Sequence, residues 1–170
     1  MPIKIAHDHP ETKPFVEAVG KLIQNLGMIE VQTHDWITAL QTDTMVLEIA
    51  RRSKFRDRVD LIKRMVERHE FSPRRERDRI LKLWSSVLPH SEVRNLVAHS
   101  CVMMGFLNDD PTQPAVVKGV INLKPRDKTQ EAELISVEEI NGSVNATHRI
   151  GAALLEAFGT LTNSSSLGVP

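Results

Sequence analysis

From Phe15 to about Gln41 the apolar residues Phe15, Val19, Leu22, Ile23, Leu26, Ile29, Trp36, Ile37 and Leu40 recur mostly three or four positions apart. A stripe that keeps this period commits the stretch to one long amphipathic helix, whose apolar face other elements must cover. Pro14 suits the first turn, and Gly27 is a mild weak point. The same period returns three more times. Met45, Val46, Ile49, Val59, Leu61, Ile62, Met65 and Val66 predict a second helix to about His69, with Thr42 or Asp43 as cap and a break near Arg52–Lys54. Ser72-Pro73 followed by Glu76 opens a third, continued by Ile80, Leu81, Leu83, Trp84, Val87 and Leu88. Pro89 removes a backbone donor and crowds the preceding turn, so a kink or restart is expected there, with Ser91 as a new cap.

After Gly105 the pattern changes. Asn108 to Pro114 reads as a loop, and the short apolar runs around Val116–Leu123 and Ala132–Ile135 predict a two-stranded hairpin over about 115–136. Ser136 and Glu139 form a capping box that opens the last helix. Ile140, Val144, Ile150, Leu154, Leu155, Phe158 and Leu161 are its apolar stripe. The fold class expected is mainly α: an up-and-down four-helix bundle with a β-hairpin inserted between helices 3 and 4. Residues 14–162 form a single domain, between a flexible N-terminus (1–13) and a flexible Ser-rich tail (163–170). Aromatic residues make up only 4% and tyrosine is absent, which suits a bundle packed on aliphatic side chains better than a β-sandwich.

A single cysteine, Cys101, allows neither an internal disulfide nor a cysteine zinc cage, and points to a reducing cytoplasm. The N-terminus has no apolar run, so neither a signal peptide nor a membrane span is expected. His7 and His9 lack further ligands for a metal, and the other single histidines (His34, His69, His90, His148) read as surface or helix-end residues. No cofactor is implied. Lys plus Arg equals Asp plus Glu at 22 each, but the balance hides an asymmetry. Residues 51–82 hold thirteen Lys/Arg against six acids, a net +7. Such a stretch is either a solvated face paired at i, i+4 or a phosphate-attracting surface.

The residues with most chemistry follow it: Arg94-Asn95-Leu96-Val97-Ala98-His99. On a helix Asn95 and His99 share a face one turn apart, while Arg94 lies roughly 140° from His99 around the axis. A guanidinium can hold phosphate in a bidentate fork, and an imidazole can move a proton. Alternatively Arg94 pairs with a carboxylate such as Glu92, and His99 is a satisfied core histidine.

This stretch resembles the R-x-x-x-x-H signature of the HEPN superfamily, including the polar residue after the arginine. The layout is similar too: a helical bundle, the signature late in the third long helix, then an insertion and a last helix. The resemblance implies a cytoplasmic homodimer with two motifs meeting at a cleft, and a metal-independent endoribonuclease, a hydrolase of phage defence or of a toxin–antitoxin pair. By position, Arg94 would bind the scissile phosphate, His99 would transfer the proton, and Asn95 would orient either. The ribose 2′-hydroxyl is then the nucleophile, so RNA and not DNA is the substrate. Arg51, Arg52, Lys54, Arg56 and Arg58 are candidate RNA-backbone contacts, and a cognate antitoxin or other protein is a candidate partner. The superfamily also holds non-catalytic protein-interaction modules, the alternative reading.

Overall fold

Helical period governs most of the chain that the computed structural model describes, residues 13–69, 74–99, 119–122 and 133–166. The architecture is mainly α. Among the described residues there are five helices and two short strands: α1 (Lys13–Leu40), α2 (Thr44–Arg52), α3 (Phe55–Arg68), α4 (Arg74–His99), β1 (Gly119–Asn122), β2 (Glu133–Ser136) and α5 (Val137–Ser166). Among them no helix is long and apolar enough to cross a membrane. The N-terminal segment, the Ser72-Pro73 cap, Ser100, Cys101, Met103, Met104, the loop at 108–114 and the end of the tail lie outside the described residues, as does the middle of the expected hairpin.

The expected second helix is two. Asp43 caps α2, its carboxylate accepting from the Met45 N–H at 2.8 Å. The helix stops at Ser53, whose N–H still reaches the Ala50 carbonyl but whose backbone is already extended. Lys54 then starts α3. This turn is why four helices become five. Val46 lies beside Leu40, and Ala50 and Arg51 lie beside His34 and Ile37, so α2 runs back along α1. Arg58 reaches Thr33 while Met65 lies by Leu40, so α3 returns parallel to α1.

The chain divides into two compact units. The larger contains α1 from Asn25, α2, α3, α4 to His90, and α5 from Ala146. Its core is Leu26, Ile29, Trp36, Ile37, Val59, Ile62, Val66, Ile80, Trp84, Val87 and Leu154. At its centre Trp36 meets Trp84 edge-on, centroids 5.9 Å apart, and Phe158 at 5.7 Å. Asn25 donates to Thr147, Gly151 approaches Ile29, and Trp36 meets Phe158, so α1 and α5 are parallel here. An up-and-down four-helix bundle would make its first and last helices antiparallel; the α2–α3 turn reverses that parity.

The other unit contains α1 to Gln24, α4 from Ser91, β1, β2 and α5 to Asn145. Phe15, Ala18 and Leu22 of α1, Val93 and Val97 of α4, and Ile135, Ile140 and Val144 are buried there. β1 and β2 pair antiparallel over four residues each, Gly119 opposite Ser136 and Asn122 opposite Glu133. Two strands this short are all that is described of the expected hairpin. β2 leads straight into α5, where the Ser136 hydroxyl accepts from the Glu139 N–H at 3.1 Å. The apolar period misplaced four residues: Ile23 is 47% exposed, Met45 70%, Ile49 60% and Leu155 61%.

Pro89 does not interrupt α4, which stays helical from Arg74 to His99. The expected restart with Ser91 as cap is therefore replaced by one continuous helix, and Ser91 is buried inside it. A helical proline costs about 3 kcal/mol, here partly as the Ser85 carbonyl left without its i+4 donor. Burial of Trp84 and Val87 before it and of Val93 and Val97 after it outweighs that cost, at about 1.5–3 kcal/mol per large apolar side chain. Pro89 is itself exposed. Pro89→Ala should therefore raise stability by about 1–2 kcal/mol, the regained hydrogen bond being offset by a freer unfolded chain. A lowered urea midpoint would show that the proline is required for the helix's path.

Candidate functional site

Because α4 is unbroken, Arg94, Asn95 and His99 keep one helical phase. Asn95 is exposed and Arg94 half-buried. The Arg94 Nε is shielded from solvent, and the residue takes part in polar interactions of the fold. His99 is the last residue of α4, and its side chain lies outside the described residues. Val93 and Val97 bury the opposite edge of this turn and fix its rotation.

His90 stands one turn before Arg94 and is half-buried. Burial penalises its charged form and holds its pKa below the ordinary value of 6.5. The unfolded chain then binds the proton more readily, so stability is complete above about 6.5 and declines as pH falls toward the folded pKa. Comparing melting temperatures at pH 7.5 and 5.5, wild type should lose more on acidification than His90→Gln. Equal losses would remove His90 from that dependence.

The basic stretch belongs to the other unit, and its members differ in what they do. Arg58 is buried: its Nε donates to Thr33 Oγ1 at 2.9 Å and its Nη1 to the Ser53 carbonyl at 2.6 Å, with Glu30 at 3.9 Å from Nη2. This guanidinium is committed to fastening the α2–α3 turn to α1. Its candidacy as an RNA contact gives way to a structural role, since its donors already face protein acceptors. Arg51 and Arg52 end α2, Lys54 is the residue before α3 and Arg56 lies in its first turn, all four exposed. Arg52 is 3.4 Å from Glu48. Arg79 sits 3.0 Å from Glu156 and 3.2 Å from Glu76, and the hydrogen bond to Glu156, with the charge of Glu76, raises its pKa.

Pairing accounts for only part of the positive charge. Among the described residues Arg51, Lys54, Arg64, Arg68, Arg74, Arg75 and Lys82 have no ion-pair partner. A face fully neutralised at i, i+4 would show such pairs for every cation along α3 and α4; Arg64 and Arg68 on α3 have none. Sequence spacing did not expose a second grouping, formed by His34 and Thr38 of α1 with Arg51 of α2 around a hollow of about 290 Å³. His34 and Thr38 stand four apart on one helix face, which was the available signal. The chain matches no known family profile, no curated protein and no solved structure.

Proposed function

We propose that this chain is a metal-independent endoribonuclease of the HEPN type, acting as a homodimer in phage defence or a toxin–antitoxin pair. The observation that carries the reading is the continuity of α4 through Pro89, which keeps Arg94, Asn95 and His99 in the phase of a single helix. In this reading Arg94 binds the scissile phosphate and stabilises its developing charge. His99 takes the proton from the ribose 2′-hydroxyl or delivers one to the leaving oxygen, and Asn95, one turn from His99, orients the imidazole or the phosphate. Exposed Arg51, Arg52, Lys54 and Arg56 add backbone contacts whose worth falls as salt rises.

The test is cleavage of RNA in EDTA by wild type, Arg94→Ala and His99→Ala, each shown by circular dichroism to be folded. Loss of about 100-fold or more in rate for both variants is expected. Equal cleavage by all three proteins, or cleavage of DNA as readily as RNA, would overturn the assignment.

A non-catalytic interaction module is the second reading, favoured by the exposed apolar side chains Met28, Val31, Met45, Ile49 and Leu155. It requires Arg94→Ala and His99→Ala to lower the melting temperature while no cleavage is found in any of the three proteins.

A further inference from the structure

The hollow between α1 and α2 is floored by Ile37, Leu47 and Ala50 and edged by His34, Thr38 and Arg51. Its chemistry is one-sided. Arg51 brings the planar fork of a guanidinium, Thr38 a hydroxyl, and His34 a ring N–H that persists in either neutral tautomer. No carboxylate lines the hollow among the described residues. None of these three side chains has a hydrogen bond or ion pair there, although nearby polar groups do: Arg52 pairs with Glu48, Arg58 with Thr33 and Ser53, and Ser53 with Ile49. Thr38 does not turn back onto its own helix as Ser85, Thr160 and Thr162 do.

Three donors from two helices, left without acceptors around one concavity, match an anion with oxygens in several directions. A planar carboxylate offers two oxygens in one plane, which a single arginine fork already satisfies. A phosphoryl group offers three terminal oxygens in a pyramid, one for each donor. The aliphatic floor then takes the carbon substituent of the ester. At about 290 Å³ the space is just under the range of roughly 300–1,000 Å³ typical of whole ligands, as suits one group and its first substituent.

We infer that this hollow is a binding site for the phosphoryl group of a phosphate monoester, held by Arg51, His34 and Thr38. The site shares Arg51 with the cleavage reading but lies on α1 and α2, away from the α4 motif, and its test reads binding, not turnover. Either result can therefore fail alone. Isothermal titration of the full chain with phenyl phosphate, at fixed ionic strength, is the experiment. Wild type should bind it and bind benzoate far more weakly. Arg51→Gln should weaken phenyl phosphate by about tenfold or more and Thr38→Val by a few-fold. Arg64→Gln, which removes the same charge from an exposed, unpaired position on α3, should leave binding within about twofold. Competition distinguishes the two sources of such a group. Displacement by a 5′-phosphorylated RNA trinucleotide, but not by its 5′-hydroxyl counterpart, makes the RNA end the ligand; displacement by neither makes it a small phosphate monoester. Absence of phenyl phosphate binding, equal affinity for benzoate, or equal losses in Arg51→Gln and Arg64→Gln would overturn the site.

Discussion

Arg58→Ala is expected to cost about 2–4 kcal/mol, although it removes one cation from a stretch that has thirteen. Its guanidinium links the Ser53 carbonyl at the α2–α3 turn to Thr33 on α1. Without it a partly buried carbonyl and a fully buried hydroxyl each lose a donor, and the turn loses its anchor. Glu30 adds less, since it is a third exposed and 3.9 Å away. Lysine should restore only part of the loss, because a single ammonium does not reproduce a fork that spans two acceptors. Urea denaturation of Arg58→Ala, Arg58→Lys and Arg56→Ala decides the matter. Arg56 is exposed, so its replacement should cost no more than about 0.5 kcal/mol. Equal midpoints for the two alanine variants would show that burial of Arg58 contributes nothing.

Trp84→Ala should be more damaging still, at about 3–5 kcal/mol, with a melting temperature lower by on the order of 10 °C. The ring is fully buried and packs edge-on against Trp36, so its removal leaves a large void between α1 and α4. Among the described residues its indole N–H finds no acceptor, and neither does that of Trp36. Trp84→Phe should consequently cost only about 1 kcal/mol: it loses some volume but also removes an unsatisfied buried donor. If phenylalanine proved as destabilising as alanine, the N–H would be bonded to something that the ring geometry does not show.

What could be read from the residues beforehand was what is local. The Asp43 cap, the Ser136 half of the Ser136–Glu139 box and the weak point near Arg52–Lys54 depend on atoms within a turn of one another, and each appears where the pattern placed it. Pro89 misled because its cost is local while the compensation is tertiary: Trp84, Val87, Val93 and Val97 hold both sides of the helix by contacts that spacing does not announce. Ile23 and Leu155 misled for a related reason. Period tells that a residue is apolar in phase, not how wide the covered arc is. Of the candidate site, the helical phase linking Arg94, Asn95 and His99 was legible. The inward turn of Arg58 was not, because one buried arginine among exposed ones has the same letter. Nor was the grouping of His34 and Thr38 with Arg51, which exists only once α2 folds back along α1.

The two tryptophans carry one more consequence. Both are fully buried in the unit formed by α2, α3 and parts of α1, α4 and α5, and the chain contains no tyrosine. Near-ultraviolet emission is therefore a private optical channel of that unit, silent about the unit that carries Arg94. Far-ultraviolet ellipticity sums the helices of both. Recording the two signals on one denaturation sample turns the placement of two indoles into a measure of cooperativity: coincident curves mean one transition for the whole chain, and separated curves give each unit its own stability.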